Sequence, residues 1–127
     1  MIRMNQIVTI KITGKKVNHA KMEHALKSYM EYEHAHPEIY HYSSTRFYTM
    51  DSSDNKDEEI WLCIDHFENY EDYLGSLKEA FKSDPESLQH YKEVVSNIVD
   101  KDVDVQNVPS RNLWTEVESL RVDNQGH

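Results

Sequence analysis

Two hydrophobic periods alternate along this chain, and their order leaves few folds open to it. In "QIVTIKI" (6–12), Val8, Ile10 and Ile12 alternate with Ile7, Thr9 and Lys11, the period of two that a strand requires. After "TGKK" the period changes. Met22, Ala25, Leu26, Tyr29 and Met30 recur at i, i+3, i+4, i+7 and i+8, which is one apolar helical stripe. Asn18 suits the N-cap of this helix, and Val17 and Met22 are spaced as a hydrophobic staple across it. Pro37 ends the helix, because it disfavours the α conformation at His36.

Strand-like patterning returns in 39–50 and again in 59–67, where Ile60, Leu62 and Ile64 take one face and Trp61, Cys63 and Asp65 the other. The polar run "DSSDNKDEE" between them reads as an exposed hairpin loop. It has neither the glycine nor the ligand register of an EF-hand. A second helix is expected over 69–82, with Tyr70, Tyr73, Leu74, Leu77 and Phe81 inward. A third is expected over 83–99, with Asp84 as cap and Pro85 at its first turn. A polar connector leads to a last strand at 111–120. The order is strand, helix, strand, strand, helix, helix, strand. Setting aside the extra helix, this is βαββαβ, the ferredoxin-like unit with an antiparallel sheet, in one α+β domain over 1–120 with a tail at 121–127. Helices cover one face of such a sheet, and the other, assigned here to Trp61, requires a second subunit or a ligand.

The net charge of −9 argues against nucleic acid and anionic membranes as partners, since both need a basic footprint. Cys63 is the only cysteine, so no internal disulfide can form and a reducing, cytoplasmic setting is expected. The first residues contain no apolar run of signal-peptide length.

"EEIWLCIDHFENYEDYLGSLKEAFKSDPESLQHYKE" resembles the third strand, acidic turn and aromatic-bearing helix of the dimeric α/β-barrel superfamily, in particular its antibiotic-biosynthesis-monooxygenase-like group. The resemblance spans about residues 5–100 in element order. It implies a homodimer with sheets packed back to back and a pocket between sheet and helices in each subunit. It also implies three functions to weigh. One is a monooxygenase-like protein, without cofactor, that binds a small aromatic molecule. The second is a non-catalytic dimeric ligand-binding or stress-related protein, and the third a haem-binding or haem-degrading monooxygenase. The haem-degrading branch pairs an early asparagine, a tryptophan in the second helix and an iron-ligating histidine. Asn5 lies near the first position, Tyr73 stands at the second, and His90 has the right spacing from Ser83. About two helical turns are inserted between Tyr73 and Ser83.

Other candidates come from the residues themselves. Tyr40, Tyr42, Arg46 and Tyr48 share a strand face on parity, so Arg46 could orient an oxyanion among phenols. Asp65, if enclosed, is the best general base, and His90 is the alternative group for proton transfer. Asn5 and Tyr73 would line the pocket beside Arg46, and Trp61 would sit in the dimer interface. His90 lies about 120° from the centre of the apolar stripe of the third helix, on a polar flank. "HAHPEIYHY" (34–42) looks like a metal site, but His34 and His36 diverge by about 200° at a helix end. A helix stop followed by a strand start explains that stretch without metal.

Overall fold

A computed structural model describes residues 5–99 and 111–123. The strands are β1 (Gln6–Lys15), β2 (Ser44–Asp51), β3 (Glu58–His66) and β4 (Arg111–Thr115). The helices are α1 (His19–His34), α2 (Tyr70–Ser83) and α3 (Pro85–Val95). The strands form one antiparallel sheet in the order β2-β3-β1-β4, the ferredoxin-like arrangement. Among the described residues no helix is long and apolar enough to cross a membrane.

The expected element order holds, but several boundaries move. The strand anticipated from residue 39 begins at Ser44, because the chain after His34 first makes tight turns, with the Ile39 and Tyr40 amides donating to the His36 carbonyl. His36 Nδ1 lies 2.7 Å from the Tyr32 carbonyl at the end of α1. "HAHPEIYHY" is therefore a helix stop and a loop. The third helix ends at Val95 and the last strand at Thr115. Asn18 does precede α1, but its side chain caps nothing, and Val17 is 86% exposed, so no staple forms there. Asn69 does cap α2, its Oδ1 accepting from the Asp72 amide at 3.0 Å.

Register decides what faces the helices. Across the sheet, Phe47, Cys63, Ile10 and Arg111 form one row on the covered face. Thr45, Asp65, Val8 and Leu113 form the row to one side of it, and Thr49, Trp61 and Ile12 the row to the other. The α1 stripe of Met22, Ala25, Leu26 and Tyr29 packs over these rows, joined by Tyr73 and Leu77 of α2 and Tyr91 and Val94 of α3.

This reverses the faces read from β3. Trp61 is 5% exposed and belongs to the helix-covered core, not to the bare face. Ile60, Leu62 and Ile64 point the other way and are only half buried. Both faces of β3 are apolar, so alternation alone could not say which one the helices cover. The uncovered face remains hydrophobic, with Tyr48, Met50 and Trp114 half or more exposed.

Candidate functional site

Between the sheet and the three helices lies a cavity of about 90 Å³. Its walls are mostly apolar: Ile10, Ile12, Leu26, Phe47, Trp61 and Leu77 are representative. Polar groups gather at the end away from Trp61, where Cys63, Asp65 and Arg111 come from adjacent rows of the sheet. Glu33 from the last turn of α1 and Tyr42 from the following loop complete that end.

Asp65 is buried, and its oxygens are well supplied with donors. Thr45 Oγ1 donates to Oδ1 at 2.7 Å, Tyr73 OH donates to Oδ2 at 2.5 Å, and Cys63 Sγ lies 3.6 Å from Oδ1. Burial, then the Asp65 charge, pushes the Tyr73 phenol far above its usual range. The same two causes raise the Cys63 thiol, so it stays protonated and is no nucleophile. Glu33 is the second buried carboxyl and accepts from Tyr42 OH. Burial above all, aided by the Asp65 charge, raises its pKa to about 8. The Tyr42 hydrogen bond and the Arg111 charge pull the other way. At pH 7 this carboxyl is largely neutral. Arg111 Nε is buried and makes no hydrogen bond among the described residues. The polar end thus holds a hydrogen-bonded carboxylate, a neutral acid and a guanidinium with donor capacity to spare.

Of the residues given a site role from sequence, Asp65, Trp61 and, from the tyrosine–arginine group, Tyr42 line this cavity, Trp61 as an apolar wall at the opposite end. Arg46 lies on the uncovered face and is exposed; the regular alternation starts only at Ser44, so Tyr42, though of the same parity, does not share its face. Its expected place is taken by Arg111. Asn5 is exposed and donates to Glu116 Oε1 at 2.9 Å, at the β4 end of the sheet. Tyr73 is fully buried behind Asp65 and positions it rather than lining the cavity. His90 is also absent from the wall. Its ring stacks on Tyr29 with centroids 6.0 Å apart and lies 5.1 Å from that of Tyr32.

Haem does not fit these residues. The candidate ligand does not reach the cavity, and the cavity is far too small for a macrocycle. Among the described residues no three His, Cys, Asp or Glu side chains cluster so as to hold a metal ion. Glu33 was legible, since it continues the α1 stripe four residues beyond Tyr29 and places a carboxyl on an apolar face. Arg111 was not, because only pairing with β1 turns it inward.

Comparison with solved structures gives the same fold. A variant of SnoaB, a cofactor-independent oxygenase from Streptomyces nogalater, matches 94% of this chain and 98% of its own at 12% identity, with a TM-score of 0.52. A monooxygenase from the gene ActVA-Orf6 of Streptomyces coelicolor, in complex with nanaomycin D, matches 91% and 88% at 17% identity and a TM-score of 0.50. A conserved protein from Methanosarcina mazei Go1 matches 88% and 92% at 12% identity and a TM-score of 0.53. No protein-family model and no curated protein sequence matches the chain. Identities this low speak for architecture alone, and that architecture is the ferredoxin-like fold.

Proposed function

We propose that this protein binds a small aromatic molecule carrying an acidic hydroxyl and acts on it as a cofactor-independent, monooxygenase-like enzyme. The observation that carries this reading is the polarity of the cavity. Apolar walls accept a ring, and a carboxylate, a neutral acid and an arginine converge at one end. The shared fold with a cofactor-independent oxygenase and a monooxygenase supports the reaction class. Without a cofactor the ring itself must supply electrons to dioxygen, and a deprotonated ring does so more readily. Asp65 is the base that removes the hydroxyl proton, held in place by Thr45 and Tyr73. Arg111 offsets the charge of the resulting oxyanion. The cavity is well below the 300–1,000 Å³ or so of drug-sized pockets, so a single substituted ring is the expected scale.

Hydroquinone is a suitable probe. The expected result is saturable binding by calorimetry and enzyme-dependent oxygen uptake that Asp65→Asn lowers by about 10²–10⁴-fold. Binding without oxygen uptake would favour the non-catalytic, ligand-binding reading. Absence of binding by any single-ring phenol would remove the small-molecule reading altogether.

The functional unit is proposed to be a homodimer joined through the uncovered sheet face, now assigned to Ile7, Leu62, Ile64, Tyr48, Met50 and Trp114 in place of Trp61. Light scattering at micromolar concentration should give twice the monomer mass. Leu62→Lys, which places a second cation beside Lys11, should weaken association at least about a hundredfold. A monomeric parent protein would defeat the assignment.

A further inference from the structure

A second cleft, of about 390 Å³, lies at the apolar end of the cavity. The two share Leu26, Met30, Phe47 and Trp61 as a common wall. The remaining lining of the cleft is polar: His19, Glu23, Lys27 and Thr49. His19, the first residue of α1, is held in a fixed pose. Its Nδ1 lies 2.7 Å from Oε1 of the buried Glu59, and its ring lies 4.9 Å from that of Trp61. The same Glu59 oxygen accepts from Trp61 Nε1 at 3.1 Å. A carboxylate only accepts hydrogen bonds, so the imidazole hydrogen is on Nδ1, and in the neutral ring Nε2 is left as an acceptor. The nearest acid to Nε2, Glu23 Oε2, is 3.8 Å away, too far for a hydrogen bond.

The geometry points to His19 as a ligand-positioning residue at the entrance. It receives a hydroxyl on the part of a ligand that extends from the apolar cavity past Trp61 into this cleft. The charges around it select that chemistry. Glu23 and Glu59 disfavour an anion, and Lys27 disfavours a cation, so a neutral hydrogen-bond donor is the group that suits the cleft. The ligand class becomes an amphipathic molecule with an aromatic end and an alcohol about a short chain away. This rests on the small-molecule reading of the cavity, and the test separates the two.

Butylbenzene and 4-phenyl-1-butanol share the apolar portion and differ in one terminal hydroxyl. Calorimetric titration of the intact protein should show the alcohol binding about five- to tenfold more tightly, the gain of one buried hydrogen bond. His19→Phe keeps a ring beside Trp61 but removes the acceptor, and should bring the ratio of the two affinities close to one. His19→Gln keeps an acceptor and should restore part of it. Equal affinities in the parent protein, or an unchanged ratio in His19→Phe, would overturn the assignment while leaving the cavity reading intact. Failure of both compounds to bind the parent protein would overturn this inference, and the hydroquinone titration would then show separately whether the cavity reading falls with it.

Discussion

Tyr73→Ala is expected to destabilise the protein by about 3–5 kcal/mol, a large share of the roughly 5–15 kcal/mol typical of a single domain. Two losses combine. The side chain is completely buried, so its removal leaves a cavity where the ring had stacked on Phe67 at a centroid distance of 4.9 Å. It also removes the donor to Asp65 Oδ2, leaving a buried carboxylate with Thr45 and Cys63 alone. Tyr73→Phe separates the two effects, since it keeps the packing and deletes only the hydroxyl. Its cost should be about 1–3 kcal/mol by urea denaturation. Combining it with Asp65→Ala should give much less than the sum of the single losses, because each removes the same contact. Strict additivity would mean that the Tyr73–Asp65 hydrogen bond does not hold this end of the cavity together.

Glu33 should impose a pH dependence opposite to that of most carboxylates. Its folded pKa, about 8, lies above the ordinary 4.5, so between these values the native state holds a proton that the unfolded chain has released. Stability contributed by this group is full below about pH 4.5, declines as pH rises, and is lost by about pH 8. At about 1.4 kcal/mol per pKa unit, the decline across the window is on the order of 3–5 kcal/mol. Glu33→Gln retains an oxygen to accept from Tyr42 and has nothing to titrate. Unfolding free energies at pH 5, 7 and 8.5 should therefore show the variant gaining steadily on the parent protein as pH rises. Parallel profiles would mean that water reaches Glu33 in the folded state.

These two expectations concern groups that the amino-acid pattern revealed unequally. Tyr73 lay on an amphipathic stripe, which announced its burial but not the carboxylate it would meet eight residues back along the chain. The element order was readable because period-two and period-3.6 stretches alternate without interruption. The faces of β3 were not, since a strand apolar on both sides satisfies either orientation until its neighbours are known. Arg46 and Tyr42 were grouped by parity, which transmits facing only within a continuous strand, and the chain between them is not one. Arg111 fell to a different limit. A charged residue at a strand end is ordinary in sequence, and its inward position depends on pairing with Ile10 of β1.

That pairing also orders events during synthesis. Asn5 and Gln6 bond to Glu116 and Thr115, partners separated by 111 and 109 positions, whereas β2 and β3 are joined by a short hairpin. Contacts of such long range close slowly and late. Until β4 has left the ribosome, β1 has one open edge, and a nascent chain already carrying both buried carboxyls of the polar end lacks the arginine that lines the cavity with them. A chain released or cleaved before residue 111 would keep the hairpin and all three helices, yet expose an unpaired strand edge of the kind that templates aggregation.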